Sequence, residues 1–568
     1  MILLQSQWQR SLQGGKRKIF QNLNRGKYFE RYLTTNGHFK DEGEKNQSRK
    51  PKRSHVIGGT IAALFTTGLI VDSDFRQGTI DSFLIAERAS VVTLAIIKCF
   101  GLYLWTLNKN YANEEEYQKA LSKTHKSAAE MTLWALKKNG GVNIKLGQHV
   151  AAMTYLLPVE WTETMICLQS ECPRSSVKEL KEMFENDTGY KFDEYFSEFD
   201  EEPIGVASLA QVHRAKLANG EEVAIKMQHP SLAKFVPLDV ALTKMSFDMM
   251  YKVFPEYSLT WLGDEMQESI FIELDFRYEA KNAKKTSNYF KNYKRLTALR
   301  VPEVYTAMPR VLVMEYISGA RLDNLKYIDN NGINRAEVCA CLAHLFNNMI
   351  FKSGFVHCDP HHGNIAIRAL DSPKNGHNFE IILYDHGLYR TIPNQMKIDY
   401  SKFWLALIDK DREGMKKYGT KFAKINDGQF PIFAAAITGR DFEHATNGDI
   451  ENARSANEIE RMKDAMQNDG LFFDLMDLLA TVPRIVLLIL KTNDLVRHLD
   501  ECLQSPLGQE RTFLIMARYC TYSVFEDDIT HRGLINKIKA YVRYYQRNSQ
   551  LWLYDFVFYL NNLFKRII

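Results

Sequence analysis

The chain has 568 residues, too many for one ordinary hydrophobic core, so two or more packed units with appended segments are expected. With 45% hydrophobic and 25% charged residues the composition is that of a globular protein, and a net charge of +5 over this length gives no reason to expect nucleic acid as a partner. The eight cysteines include no C-x-x-C pair, the closest being Cys339 and Cys341, so they indicate neither a zinc site nor a disulfide scaffold.

From Met1 to Phe29 there is no acidic residue, while Arg10, Lys16, Arg17, Lys18, Arg25 and Lys27 all occur. That is the composition of a mitochondrial presequence, although a disordered basic tail shares it. Residues 1–54 are therefore expected to be a presequence and basic linker. The run Val56 to Val71 is uncharged and close to the roughly 17 residues that cross a bilayer, so one transmembrane helix is expected over 55–71. Arg49, Lys50, Lys52 and Arg53 precede it, and Asp72 and Asp74 follow. Since positive charge stays on the side of origin, a mitochondrial inner-membrane protein of this pattern keeps its N-terminus in the matrix and the rest in the intermembrane space. A second apolar stretch, Ser90 to Trp105, contains Lys98 and reads as a buried or membrane-surface helix.

Residues 72–200 read as a helical extension. Within it, residues 111 to 138 form a long polar helix that stops at Asn139-Gly140-Gly141, and a short helix restarts at about Val142. A further helical pattern covers Val177 to Phe199. Val212 to Leu217 and Val223 to Met227 then alternate around Asn219-Gly220, the signature of a hairpin. After more helix comes a strand at Arg310 to Tyr316, ended by Ile317-Ser318-Gly319. Beyond it the pattern is mostly helical, with short strands around His357 to Ile367 and Ile381 to Tyr384. The polar stretch Asp371 to Asn378 reads as an exposed loop. A small strand-rich unit at 201–317 is thus followed by a large helical one at 318–500 and by C-terminal helices at 501–568.

Gly205-Val206-Ala207-Ser208-Leu209-Ala210 sits where a kinase G-x-G-x-x-G loop would cover the phosphates of a nucleotide. Alanines at Ala207 and Ala210 should stiffen such a loop, since glycine is what lets a backbone approach phosphates closely. By itself the segment reads more readily as a small-residue turn between strands. Val223-Ala224-Ile225-Lys226 matches the strand whose lysine pairs with nucleotide phosphates and a helix glutamate, though a solvent-facing lysine on an edge strand would read the same. The glutamate lies in Glu273-Leu274-Asp275-Phe276-Arg277-Tyr278-Glu279, where Glu279 is the expected partner. Glu273 and Asp275 are then extra carboxylates, unless the segment is only a charged helix surface.

His357-Cys358-Asp359-Pro360-His361-His362-Gly363-Asn364 places Asp359 and Asn364 at the spacing of the catalytic loop H-R-D-x-x-x-x-N. Asp359 would orient a hydroxyl or water, and Asn364 would help hold magnesium, a hard cation that takes oxygen ligands. A transition metal on the three histidines is the competing reading. Tyr384-Asp385-His386-Gly387 stands in the place of D-F-G, with Asp385 the main magnesium ligand, although Asp-x-Gly turns also end strands without function. Glu315 and Tyr316 are expected to contact the nucleotide where their strand ends. Loop, lysine, glutamate, Asp/Asn pair and Asp-x-Gly occur in kinase order with the expected strands between them. The sequence therefore predicts an α+β, protein-kinase-like bilobal fold binding ATP or ADP with Mg2+.

In the form PIGVASLAQVH, VAIKMQHP, ELDFRYEA, HCDPHHGN and YDHG, spanning Pro203 to Gly387, these motifs resemble the UbiB family of AarF-domain-containing atypical kinases. Lys145-Leu146-Gly147-Gln148 is similar to that family's K-x-G-Q motif, which ordinary protein kinases lack. The resemblance implies that Lys145, Gly147 and Gln148 belong to an extension folded over the active site, where Lys145 contacts Glu273 and Asp275 and obstructs a protein substrate. The chain departs from the commonest family pattern at Gly205 and His362. The mitochondrial branch implies a role in coenzyme Q biosynthesis or distribution and in lipid homeostasis, with membrane lipids or a quinone-like molecule as partners. Three readings follow: a magnesium-dependent ATPase or small-molecule kinase, a nucleotide-gated lipid- or quinone-binding protein, and a conventional protein kinase, which the K-x-G-Q motif disfavours. Leucines at Leu471 to Asp500, broken by Arg484, Lys491 and Arg497, read as a buried helix rather than a membrane contact.

Overall fold

The computed structural model describes residues 73–152, 157–169, 172–254, 260–361, 363–438, 478, 481–504, 508–530 and 533–567. The expected presequence and the transmembrane helix at 55–71 lie outside these residues. The chain divides into two compact units, one of residues 1–173 and 231–263 and one of 174–230 and 264–568.

The first unit is helical: α1 (Ser73–Asn108), α2 (Glu114–Asn139), α3 (Val142–Ala152), α4 (Val159–Met165) and α5 (Leu232–Val253). The Asn113 side chain caps α2 by accepting from the Glu116 N–H at 2.9 Å, and Gly140 (φ 66°) and Gly141 (φ 55°) end it in the left-handed region, as their sequence predicts. Thr79–Asn108 of α1 is long and apolar enough to cross a membrane. Yet Arg88, on the same helix, pairs with the buried Asp239 of α5 through Nε at 3.1 Å and Nη2 at 2.5 Å, and the Tyr103 hydroxyl meets His125 Nδ1 at 2.7 Å. The helix therefore has a packed side within this unit.

The second unit opens with a capped helix at Val177–Thr188, halted by Gly189 at φ 73°. Helix was expected to continue to Phe199, but Phe196–Phe199 is instead β1, because its backbone pairs with a neighbouring strand. β2 (Gly205–Val206), β3 (Ala210–Leu217), β4 (Glu222–Gln228), β6 (Val304–Ala307) and β7 (Val311–Glu315) complete an antiparallel sheet ordered β1-β3-β4-β7-β6, with β2 on β3. The strand period of two sorts its faces. Val223, Ile225 and Met227 pack with Leu180, Phe184 and Phe192 on one side. Ala224, Leu312 and Met314 pack with Phe276 on the other, the face that also carries Lys226.

That second face receives α6 (Phe276–Phe290), whose buried positions Phe276, Glu279, Ala283, Thr286 and Phe290 recur at helical spacing. Glu279 is thus carried into an apolar stripe. A second sheet, ordered β5-β11-β10-β8, is built from β5 (Leu299–Arg300), β8 (Ala320–Arg321), β10 (Ile365–Lys374) and β11 (His377–Leu383). The expected loop at Asp371 to Asn378 is in fact the far end of the β10–β11 hairpin, turned by Asn375 (φ 55°) and Gly376 (φ 93°), the paired positive φ of a two-residue hairpin turn. β9 (Phe355–His357) pairs with β12 (Tyr389–Thr391). Around these strands α7 (Arg335–Asn347), α8 (Asn394–Ile408), α9 (Arg484–Cys502), α10 (Gly508–Thr530) and α11 (Leu534–Ile567) complete the helical lobe. Val486, Ile489 and Leu499 of α9 enter its core.

Gly147 is required by packing. A Cβ there would lie 2.1 Å from Leu168 Cδ1 and 3.0 Å from Leu136 Cδ1, both leucines being buried. Gly147→Ala is expected to destabilise the helical unit by about 1–3 kcal/mol in denaturant unfolding. Gly205→Ala meets no atom within 4 Å and should leave the unfolding midpoint unchanged.

Candidate active site

Strand alternation and helix periodicity deliver Lys226 and Glu279 to one point. The Lys226 Nζ donates to Glu279 Oε1 at 2.8 Å and Oε2 at 2.9 Å, and to Asp385 Oδ2 at 2.9 Å. Burial by itself would lower the lysine pKa, but Asp385 and Glu279 together raise it above its ordinary value. Burial pushes the Glu279 carboxyl up, against the pull of Lys226; its two short bonds to one ammonium, with the His386 N–H at 3.4 Å, are those of a carboxylate. Asp385 is also raised by burial, yet Lys226 and the Gly387 N–H, 2.7 Å from Oδ1, hold it well below the usual range. Lys226 and Glu279 are both buried, and removing one partner of such a pair costs about 3–5 kcal/mol, whereas Asp385 is 36% exposed and its contact with Lys226 is weakened by solvent.

The β10–β11 register pairs Ile365 with Leu383, and the Tyr384 N–H donates to Asn364 O at 2.9 Å, so Asn364 and Asp385 emerge side by side at the strand ends. Asn364 Nδ2 donates to Asp359 O at 3.0 Å, leaving its carbonyl oxygen as the acceptor it can offer. An amide oxygen beside a permanently ionised carboxylate is a hard-oxygen set that fits Mg2+. The histidine alternative fits less well. His357 Nε2 donates to Asp385 O at 3.0 Å, and its Nδ1 accepts the Asp359 N–H at 3.0 Å. Both ring nitrogens are engaged in holding the two acidic residues. His361 Nδ1 accepts from the Gly363 N–H at 3.0 Å, and His362 lies outside the described residues.

Asp359 is 2.9 Å from the Nζ of Lys491 on α9, a residue the sequence presented only as a break in a leucine pattern. His361 Nε2 lies 3.6 Å from the other carboxylate oxygen. The alanine-bearing loop is closed by the Ala207 N–H donating to Ala210 O at 2.8 Å, with Ser208 and Ala210 buried and Gly205 exposed. His229 braces it: Nε2 donates to Ala207 O at 3.0 Å, and Nδ1 accepts from Ser175 Oγ at 2.8 Å. Burial keeps this imidazole neutral by lowering its pKa. Neither Ser175 nor His229 was singled out from the sequence.

Glu315 turns its carboxylate to Arg300 at 2.5 Å and to the Glu303 N–H at 3.2 Å, so any nucleotide contact would come from its backbone. The Tyr316 ring lies under the Arg214 guanidinium at 4.8 Å. Asp275 caps α6, accepting the Arg277 N–H at 3.1 Å and the Arg277 guanidinium at 2.9 and 2.7 Å, bonds that lower its pKa. Glu273 sits beside the Asp-His-Gly turn, its Cγ 4.0 Å from where a Gly387 side chain would begin. Gln228 fastens the intervening Leu274 carbonyl to β4 at 2.6 Å. Of the K-x-G-Q residues, Gly147 packs as described and Gln148 Nε2 donates to Leu168 O at 2.9 Å. Lys145 lies on α3 with them, in the helical unit.

His386, in the position of the D-F-G phenylalanine, is buried with Nε2 donating to Leu383 O at 3.1 Å and Nδ1 accepting from the Tyr389 hydroxyl at 3.0 Å. Burial pushes its pKa down from 6.5 to about 3. Between these values the unfolded chain binds a proton that the folded chain does not, so stability rises with pH through this window and is lost as pH falls below about 6.5. In His386→Phe the acid-side slope of unfolding free energy against pH should flatten by up to about 1.4 kcal/mol per unit, read by denaturant titration. Identical slopes would contradict a buried neutral imidazole.

Residues 167–419 match the ABC1 atypical kinase-like domain. The chain is 49% identical over 560 residues to the ABC1 family protein MCP2 of Saccharomyces cerevisiae, covering 95% of this chain and 97% of that protein. It is 37% identical over 445 residues to AarF domain-containing kinase 1 of Drosophila melanogaster, covering 78% and 83%. Among solved structures, the Rv3197–erythromycin complex of Mycobacterium tuberculosis aligns at a TM-score of 0.39 and 19% identity, over 69% of this chain and 99% of that one. With its identity to MCP2 over nearly its whole length and a kinase-like architecture, the chain belongs to the ABC1 atypical kinase-like proteins, the UbiB family.

Proposed function

We propose that the protein binds ATP with magnesium and turns it over, by hydrolysis or by transfer of its terminal phosphoryl group to a lipid-like or quinone-like small molecule. The place is the mitochondrial inner membrane, with the kinase-like unit in the intermembrane space, in support of coenzyme Q distribution or biosynthesis and lipid homeostasis. The observation that carries the reading is the Lys226 ammonium within 2.9 Å of both Glu279 and Asp385. Such a lysine is already oriented to meet phosphate oxygens. Asp385 and Asn364 would hold magnesium, which would supply charge neutralisation on the phosphates. Asp359 accepts the proton of the attacking hydroxyl or water as the new P–O bond forms and the bond to the departing diphosphate breaks. The acid-free, basic start of the chain supports the mitochondrial placement.

One contact favours the second reading, a nucleotide-gated lipid- or quinone-binding protein with little turnover. Lys491 occupies the Asp359 oxygen that an acceptor hydroxyl would approach, at 2.9 Å. The two readings separate on the full-length chain in vesicles containing mitochondrial lipid extract. With Asp359→Asn, ATP loss and phosphoryl transfer should fall by about 10²-fold or more, with nucleotide binding retained. If wild type and variant consume ATP at the same rate, turnover through Asp359 is wrong and the binding-protein reading takes its place.

A further inference from the structure

Helix α11 is oriented the wrong way round for a helix facing water. Ala540, Arg547 and Leu551, at helical spacing, lie on the side turned to the protein. Three of its charged side chains are fastened to the protein: Arg543 to Asp528 at 3.1 Å, Asp555 to Arg518 at 2.7 Å, and Arg547 to Asp409. The Tyr544 ring stacks on Phe525 of α10 at 4.3 Å. The opposite side is apolar and aromatic. At 100° per residue Leu534, Ile538, Tyr541, Val542, Tyr545 and Trp552 fall within one arc of about 100°, and Val542, Tyr545 and Trp552 are 60%, 64% and 62% exposed. Among the described residues nothing covers it.

We infer that this stripe is a docking face for the surface of an anionic phospholipid bilayer. Three observations favour lipid over a protein partner. The exposed face mixes aliphatic side chains with Tyr and Trp, the residues that settle at the boundary between acyl chains and headgroups. At 100° per residue, Lys537 and Lys539 flank the stripe on either side, and among the described residues neither has a carboxylate partner; long basic side chains in that position reach headgroup phosphates while their stems lie on the apolar surface. The uncharged run Val56 to Val71, read as a transmembrane helix under the proposed function, would raise the local concentration of lipid around α11. The salt bridges on the inner side keep the stripe turned outward, so the kinase-like unit presents a fixed face to the membrane. A lipid-like acceptor would then reach the unit from a defined direction.

The test places an environment-sensitive fluorescent amino acid at position 542, or at the exposed Tyr190 of the same unit, in the full-length chain reconstituted into vesicles of phosphatidylcholine and phosphatidylglycerol. With lipids brominated along the acyl chain, the probe at 542 should be blue-shifted and quenched several-fold more than the probe at 190. Lys537→Glu with Lys539→Glu should lose most of that excess, with an unchanged unfolding midpoint. Quenching at 542 no greater than at 190 overturns the inference. So does a blue shift that grows with protein concentration in detergent without bilayers, which would make the face an interface between copies. Neither outcome depends on nucleotide binding, so failure here leaves the proposed function standing.

Discussion

The structure of the cleft depends on one buried cation shared between two carboxylates. Lys226 comes from the strand-rich lobe, Glu279 from the helix packed on it, and Asp385 from the end of a strand in the helical lobe. Neither Lys226 nor Glu279 could be buried alone without a large desolvation cost, and the partly exposed Asp385 shares the same ammonium, so each fixes the position of the others. Around them the uncharged groups serve orientation. His357 holds the backbone of both Asp359 and Asp385, while His386 and Asn282 secure the turn after Asp385, the latter donating to His386 O at 3.0 Å. The outcome is a site whose charges are placed before any ligand arrives, which is the condition under which electrostatic stabilisation of a transferring phosphoryl group is largest.

The departures from an ordinary protein kinase have local causes. The loop at Gly205 to Ala210 is a closed turn, with Ala207 bonded to Ala210 and Ser175 and His229 bracing it from behind. Glycine's freedom is therefore not needed there. Asp359 faces an ammonium from α9, well over a hundred residues later in the chain, so the charge at this loop is tied to the C-terminal helices. The K-x-G-Q motif divides into a packing residue, Gly147, an amide that holds a carbonyl, Gln148, and a lysine that precedes both on the same helix. Such support fixes the helix that carries Lys145.

Much of this was legible in the residues, for identifiable reasons. Lys226 and Glu279 stand on elements of known period, so their faces follow from Val223-Ala224-Ile225 and from Phe276 and Ala283. Asn364 and Asp385 end adjacent strands, so their meeting follows from register. What escaped the sequence was set by distant partners. Ser175 and His229 are 54 positions apart, and Lys491 and Asp359 are 132 apart, and such pairs leave no periodic trace. Phe196–Phe199 became strand because β3 offered it hydrogen bonds, overriding a helical pattern. The β10–β11 hairpin was readable in Asn375-Gly376, but the polar residues around the turn made it resemble a loop.

Under the proposed function Asp385 and Asn364 hold magnesium for a nucleotide seated on Lys226. Calorimetric titration of ATP into the full-length chain tests it most directly, with magnesium or with EDTA, for wild type and Asp385→Asn. The account predicts that EDTA weakens wild-type binding by about tenfold or more, roughly 1.4 kcal/mol, and that the variant in magnesium behaves like wild type without it. Equal affinity in all four titrations would contradict it.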